Sequence, residues 1–305
     1  MSGFHDFLVQ DVPMLASGVL ASVACALVGC FLVLRRLSLM GDAISHAVLP
    51  GIVVAFLLAG TLRGMPIFLG AAAAGVLTAL LTELIHRIGR VETGAAMGVV
   101  FTVFFALGVL MLERTSGGGI HLDAECVLYG AMENVLWINA PTSASEWFTS
   151  AAWAYFPRQL GTLAAVAMLN AVLIAIFFKE FRIAAFDPGL AASQGVSPAA
   201  MHYLLMTMVA ITTIAAFEAV GSILVVAMLI VPGVIAHLYV NRLGSMLLLA
   251  TLAAVIASAG GYAAAAAMNM NAAGMIGVML GVLLIVACSF SPHGGWLRRR
   301  VVRAE

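Results

Sequence analysis

The sequence predicts an all-α protein that crosses a membrane eight or nine times. Of its 305 residues, 63% are hydrophobic and 9% are charged, whereas charged residues make up about 25% of an average soluble domain. Apolar runs long enough for a membrane-spanning helix, which takes about 20 residues, recur along the whole chain. Residues 1–305 are therefore expected to form a single transmembrane domain.

Nine apolar runs account for this prediction. The first follows an N-terminus that lacks the basic region of a cleavable signal peptide, so we expect it to stay in the membrane. The boundary near 218 is the weakest of the set, and an eight-helix chain is the alternative. The predicted spans are 13–34, 39–60, 66–85, 93–112, 158–178, 201–218, 219–240, 244–267 and 274–291.

Basic residues lie in every second break between these spans. They are Arg35 and Arg36, Arg87 and Arg90, Lys179 and Arg182, Arg242, and the arginines of the tail 292–305. By the positive-inside rule these breaks face the cytoplasm, which places the C-terminus inside and, with nine spans, the N-terminus outside. Eight spans would place the N-terminus inside. The formal net charge is zero, so no global charge favours nucleic acid as a partner.

The long acidic break 113–157 is expected on the extracytoplasmic side, as a partly re-entrant or surface-lying segment. His121, Asp123 and Glu125 alternate within it, and an extended backbone would point all three side chains one way. Such a row can receive an incoming cation. A solvated polar face is the alternative.

Asp42 and His46 lie inside the second predicted span, four residues apart. In a helix this spacing places the carboxylate and the imidazole on one face, one turn apart, where they can hold a divalent metal ion. An unpaired charge in hydrocarbon is costly, so intramembrane charges usually line a pathway or contact each other. The alternative is a structural pair in which His46 donates to Asp42 and the two hold helices together.

Glu218 is the second candidate ligand, because apolar residues flank it on both sides and a carboxylate there needs a cation, a polar neighbour or a proton. The alternative is a helix-end residue wetted at the outer surface. His237, near a predicted cytoplasmic end, is more typical of a membrane interface. Oxygen and imidazole ligands without thiolate favour Mn²⁺, Zn²⁺ or Fe²⁺ over copper(I).

Motifs of common catalytic sites are missing from the chain. It contains no Gly-x-x-x-x-Gly-Lys-Ser/Thr phosphate loop, no His-Glu-x-x-His pair and no Gly-x-Ser-x-Gly elbow. Its four cysteines show no Cys-x-x-Cys spacing. We therefore expect no ATP hydrolysis by this chain, no permanently bound cofactor and no disulfide framework.

The break at 179–198 is too long for a simple turn. Asp187 and Pro188 suit the start of a short helix, as the capping residue and the first helical residue, and Gly195 suits its end. The pattern predicts a surface helix on the cytoplasmic face. It is either a docking helix for a soluble partner or a connector.

Three ordered motifs resemble those of the membrane subunits of ABC-type manganese, zinc and iron importers. They are RRLSLMGDAISHAVLPG at 35–51, FDPGLAASQGV at 186–196 and FEAVGSILVVAMLIVP at 217–232. The resemblance extends over nearly the whole chain. It implies a fold similar to that of type II ABC importer permeases.

The resemblance also implies an assembly in the bacterial cytoplasmic membrane. Two permeases, either two copies or a related pair, would join two cytoplasmic ATP-binding subunits and receive metal from an extracytoplasmic binding protein, working by alternating access. The intramembrane metal ligands of the family match Asp42, His46 and Glu218. Its ATPase-contacting segment matches Phe186, Asp187, Pro188, Ala191 and Gly195.

On straight helices the three implied ligands would lie at different depths. Glu218 is about 25 Å from Met201 at 1.5 Å per residue, whereas Asp42 follows Arg36 by only a turn or two. We expect a broken or re-entrant element to bring them level, and two stations along one path are the alternative. A gradient-driven secondary cation transporter, and a membrane-embedded enzyme or scaffold, are the competing functions.

Overall fold

The computed structural model describes residues 7–60, 65–116, 132, 135–137 and 156–291. These residues form helices and no strand. A short π-helical turn, Phe7–Asp11, is followed by α1 (Val12–Leu34), α2 (Met40–Ala47), α3 (Leu49–Ala59), α4 (Met65–Gly89), α5 (Thr93–Ser116), α6 (Arg158–Ile176), α7 (Phe178–Phe186), α8 (Pro188–Ser193), α9 (Pro198–Val220), α10 (Ser222–Tyr239), α11 (Leu243–Met268) and α12 (Ala272–Phe290).

Nine helical segments of this described part are long and apolar enough to cross a membrane. This confirms the predicted all-α membrane fold with nine spans, in which α2 and α3 together make the second span, Met40–Ala59. The boundary predicted at 218 falls instead at Gly221, which separates α9 from α10. Gly221 has φ 86°, a conformation that glycine adopts without steric cost.

Local sequence signals explain where several helices begin. Proline stands in the first turn of α1, α3, α8 and α9, where its missing N–H breaks no helical hydrogen bond. Side chains cap other N-termini: Ser197 Oγ accepts from the Ala200 N–H at 3.3 Å and Asn271 Oδ1 from the Gly274 N–H at 2.8 Å. These caps satisfy donors that a helix start leaves free.

Helix α1 lies at the centre of the fold, packed against α6, α9, α10 and α11. Small and polar residues permit these close contacts, as is usual between membrane helices. The Ser22 and Ser258 hydroxyls meet at 2.6 Å between α1 and α11. Helices α2 to α5 form a neighbouring group, joined to the centre where α4 packs on α9.

The basic breaks come together at one end of the bundle. Arg35 reaches His202 at the start of α9, Arg87 shares a cavity with Ala184 of α7, and Arg182 shares a groove with Arg242. We call this the basic end. The opposite end holds the contact of Tyr262 with Asp11. Gathering the basic residues at one end is what the positive-inside prediction requires; the side that this end faces stays a prediction.

Candidate metal site and docking surface

Asp42 and His46 lie on α2, one helical turn apart. Asp42 Oδ1 is 3.5 Å from His46 Nε2, and the side chains are 48% and 34% exposed in the single chain. Both are on the same helix, so their mutual contact does not itself join two helices; the metal site and the structural pair both stay predictions. The arrangement leaves one carboxylate and one imidazole partly exposed on the same helix.

The span that carries this pair is broken just after His46. The helical pattern is interrupted at Val48, and α3 starts at Leu49 with Pro50 in its first turn. Proline has no N–H, so the His46 carbonyl loses the donor that a continuous helix would give it at position 50. The imidazole ring of His46 also packs against Phe101 and Phe105 of α5, with ring centroids 6.2 Å away in both cases.

The start of α2 lies well up the side of α9. A Cβ built on Gly41, next to Asp42, would be 4.0 Å from Thr213 Oγ1. Thr213 is fully buried, and its hydroxyl has no hydrogen-bond partner among the described residues. Since Glu218 follows Thr213 by five residues, it lies only about 7.5 Å further along α9. The offset between the candidate ligands is therefore much smaller than straight helices imply.

Glu218 nevertheless does not join Asp42 and His46 in one cluster. It is exposed in the last turn of α9, three residues before the break at Gly221. Across the described ranges, no three His, Cys, Asp or Glu side chains lie close enough to hold one ion. The three candidate ligands therefore form no common cluster in the single chain, and their meeting at one level stays a prediction.

The weaker candidates divide into two groups. His237 is exposed in the last turn of α10, close to Arg242 at the basic end, as expected of an interfacial histidine. His121 and Asp123, with Glu125, fall outside the described residues, as do most of the segment 113–157 and the tail 292–305.

The segment predicted as a docking helix is helical and lies at the basic end. Asp187 caps α8, its Oδ1 accepting from the Leu190 N–H at 2.9 Å, and Pro188 starts the helix. Gly195 follows the helix with φ 80°. The start and end predicted from sequence are therefore confirmed, whereas α7, immediately before them, is a helix that the sequence reading did not predict.

The docking segment presents an apolar face to solvent. Phe186 is 58% exposed, whereas Ala191 is fully buried and fixes α8 to the bundle. Between this segment and the α10–α11 link lies a groove of about 660 Å³. Phe186 lines it together with Leu190, and Arg182 and Arg242 contribute positive charge.

A buried charged cluster at the basic end was missed by the sequence reading. Glu83 of α4 pairs with Arg87 and, at 3.0 Å, with His202 of α9, and Arg35 lies 3.2 Å from the same ring. Burial lowers the pKa of Arg35, and the nearby Glu83 carboxylate opposes that shift. An available signal was the i, i+4 spacing of Glu83 and Arg87, but nothing local points to His202.

The chain matches the model of the ABC 3 transport family over residues 7–140 and 154–291. The manganese transport system membrane protein MntD of Bacillus subtilis (strain 168) is 43% identical over 288 residues, covering 94% of this chain and 94% of that protein. The zinc transport system membrane protein TroD of Treponema pallidum (strain Nichols) is 41% identical over 295 residues, covering 97% of this chain and 77% of that protein.

A solved structure agrees with these sequence relatives. The structure of PsaBC from Streptococcus pneumoniae in complex with Fab contains a chain with TM-score 0.73 to this one, at 29% identity and 94% coverage of each chain. The chain therefore belongs to the ABC 3 transport family, and the resemblance that its three motifs indicate is confirmed.

Proposed function

We propose that this chain is the permease subunit of an ATP-driven importer of the divalent ions Mn²⁺, Zn²⁺ or Fe²⁺. The observation that carries the proposal is the pair of Asp42 and His46, an oxygen and a nitrogen ligand held one turn apart on a membrane helix and both partly exposed. Relatives named for manganese and zinc transport support this class of cargo.

The small number of ligands in this chain also supports a second permease in the assembly. A borderline divalent ion takes about four to six ligands, and the described part of this chain adds no third His, Cys, Asp or Glu to the pair. Ionisable groups at membrane depth face a polar cavity or another polar group. We assign the missing ligands to a second copy or a related permease, whose matching pair brings the set to two carboxylates and two imidazoles.

The energy for transport comes from a separate ATP-binding subunit in this proposal. The chain has no phosphate loop, while the docking segment offers exposed Phe186 beside a groove with two arginines. An extracytoplasmic binding protein delivers the ion at the end opposite the basic end. Movement of the docking segment then alternates the access of the site between the two faces.

Metal uptake by proteoliposomes tests this function. The permease is reconstituted with its ATP-binding subunit, and uptake of radiolabelled Mn²⁺ and Zn²⁺ is measured with the binding protein outside. Mutation of a residue that only hydrogen-bonds to a metal ligand already lowers metal affinity or activity about 10- to 100-fold. Loss of a ligand itself, in Asp42→Asn or His46→Ala, should therefore abolish uptake. Glu92→Gln, at an exposed carboxylate before α5, is the matched control and should transport normally.

Two outcomes would contradict the proposal. Unchanged uptake by the Asp42→Asn and His46→Ala complexes would remove the pair from the transport path. Uptake by the purified chain alone, driven by an ion gradient and independent of ATP, would identify a secondary transporter instead.

A further inference from the structure

Glu83 is a buried carboxylate that belongs neither to the metal pair nor to the docking segment. Its side chain is only 9% exposed, and it accepts from Arg87 on its own helix and from His202 on α9. A buried carboxylate is tolerated only when such partners satisfy it. The arrangement links α4 to α9 at the basic end, where α4 joins the two groups of helices.

The chemistry of the partners fixes the direction of each hydrogen bond. A guanidinium only donates, so Arg35 Nη1 donates to His202 Nδ1 across 3.2 Å. The ring proton must then lie on Nε2, which donates to Glu83 Oε2 at 3.0 Å. Arg87 donates to the other Glu83 oxygen and lies 5.6 Å from the Tyr203 ring centre. The result is a continuous series of hydrogen bonds from Arg35 through the neutral His202 imidazole and Glu83 to Arg87.

This series of hydrogen bonds holds the segment that leads into the Asp42 and His46 pair. Arg35 follows the last residue of α1, and the link from Arg35 to Leu39 is closed by backbone bonds. The Leu37 N–H donates to the Leu32 carbonyl at 2.9 Å, and the Met40 N–H to the Leu37 carbonyl at 3.0 Å. These two bonds tie the last turn of α1 to the first residue of α2. The position of the Arg35 side chain therefore sets the position at which α2, with Asp42, begins.

The same residues face the docking segment across a cavity. Arg35, Glu83, Arg87 and His202 line a space of about 400 Å³ whose other walls include Ala184, Ala185 and Pro188. Ala184 and Ala185 are in α7, and Pro188 starts α8. A displacement of α7 and α8 thus changes a cavity that the same four polar and charged residues also line.

We propose that Glu83 and His202 are positioning residues that couple the docking segment to α2 during metal transport. They do so by holding Arg35, and through it the start of α2, against α4 and α9. The inference rests on the proposed function, since it assigns how movement at the basic end reaches Asp42 and His46. Neither residue binds the metal in this scheme, because their donor and acceptor atoms already hold each other and the two arginines.

The test measures metal uptake and ATP hydrolysis in the same proteoliposomes, using the complete complex. Coupling between two sites is typically worth about 5- to 150-fold, so Glu83→Gln and His202→Leu should lower the ratio of metal transported to ATP hydrolysed by at least about fivefold. His202→Gln keeps one donor and one acceptor and should preserve the ratio. Arg90→Gln, at an exposed arginine between α4 and α5, is the control.

The readouts separate coupling from folding. Co-purification of the ATP-binding subunit and equilibrium Mn²⁺ binding should stay normal in the coupling variants. An unchanged ratio in Glu83→Gln and His202→Leu would overturn the inference, as would parallel loss of uptake and hydrolysis. If those variants do not assemble, Arg35→Gln, which leaves Glu83 paired with Arg87, must lower the ratio. Absence of ATP-dependent uptake in the unmodified complex would contradict the proposed function itself, and this inference with it.

Discussion

Gly29 of α1 lies directly against the backbone of Leu229 in α10. A Cβ built on Gly29 would overlap the Leu229 carbonyl oxygen and lie 2.8 Å from the carbonyl carbon. The atoms it would meet are backbone, so no side-chain rotation can make room. This contact packs the central helix and the helix that follows the Gly221 break backbone against backbone.

Substitution of Gly29 should therefore destabilise the whole bundle. Overpacking of a core costs about 1–3 kcal/mol, and we expect Gly29→Ala to reach the upper end because α1 and α10 must separate. The measurement is the temperature at which heating the detergent-purified chain abolishes its monodisperse peak in size-exclusion chromatography. Gly281→Ala is the control, since no atom lies within 4 Å of a Cβ built there. Equal stability of the two variants would contradict this packing.

Adjacent threonines on α9 should respond in opposite ways to the same change. Thr212 donates to the Met208 carbonyl at 2.6 Å and accepts from Asn170 Nδ2 at 2.7 Å. Interhelical hydrogen bonds in membranes are worth about 0.6–2 kcal/mol, so Thr212→Val should destabilise by that amount. Thr213 has a buried hydroxyl without a partner among the described residues, a state that costs about 1–3 kcal/mol. Thr213→Val should leave stability unchanged or raise it.

The same thermal assay in detergent checks this pair. Both variants replace a hydroxyl with a methyl group at nearly constant volume, so each controls for the other. Destabilisation by Thr213→Val as large as that by Thr212→Val would show that the Thr213 hydroxyl has a partner in the folded protein.

The nine spans could be predicted because each helix must satisfy its own backbone hydrogen bonds in lipid, which requires a long apolar run. The boundary at Gly221 was misplaced because that region is continuously apolar, and hydropathy carries no information on φ. The spacing of Asp42 and His46 is local and could be predicted from the sequence. The depth of Glu218 relative to this pair could not, because it depends on how α2 packs beside Thr213.

Glu83 shows the same limit at the basic end. Its partner Arg87 is one helical turn away, but His202 lies on α9 and Arg35 in the link after α1. Only the packing of α4 on α9 reveals that His202 shares the carboxylate with Arg87 and that Arg35 reaches it through His202. The docking segment, in contrast, was predictable because Asp187, Pro188 and Gly195 act through backbone geometry alone.

Phe186 should be an anchor for the ATP-binding subunit. Truncation of a central aromatic anchor costs an interface about 2 kcal/mol or more, about 30-fold in Kd. Because the side chain is 58% exposed, Phe186→Ala should hardly change the stability of the permease itself. The affinity for the ATP-binding subunit is measured in detergent by titration.

Phe290 provides the matched control for this interface. It is 68% exposed at the end of α12, so Phe290→Ala removes the same side chain from a helix end outside the groove. Retained affinity in Phe186→Ala, or an equal loss in Phe290→Ala, would refute docking at this segment.

Glu218 should act as a separate station on the path of the ion. It does not form a three-residue cluster with Asp42 and His46 in the single chain. A carboxylate in the last turn of a helix also faces the negative end of the helix dipole, which is unfavourable by about 0.3–1 kcal/mol. Stability therefore does not explain this residue, and we predict that it attracts the transported cation.

A Glu218 variant should affect Mn²⁺ uptake and equilibrium Mn²⁺ binding differently. Glu218→Gln should lower Mn²⁺ uptake by about 10-fold or more, the effect of losing a supporting group at a metal site, while equilibrium Mn²⁺ binding to the assembled permeases stays unchanged. Glu113→Gln is the control, at an exposed carboxylate in the last turn of α5, at the same end of the bundle. Parallel loss of binding and uptake would place Glu218 in the same site as Asp42 and His46. Normal uptake would show that Glu218 is only a solvated residue at a helix end. Removing the charge of a carboxylate on the path should slow the ion.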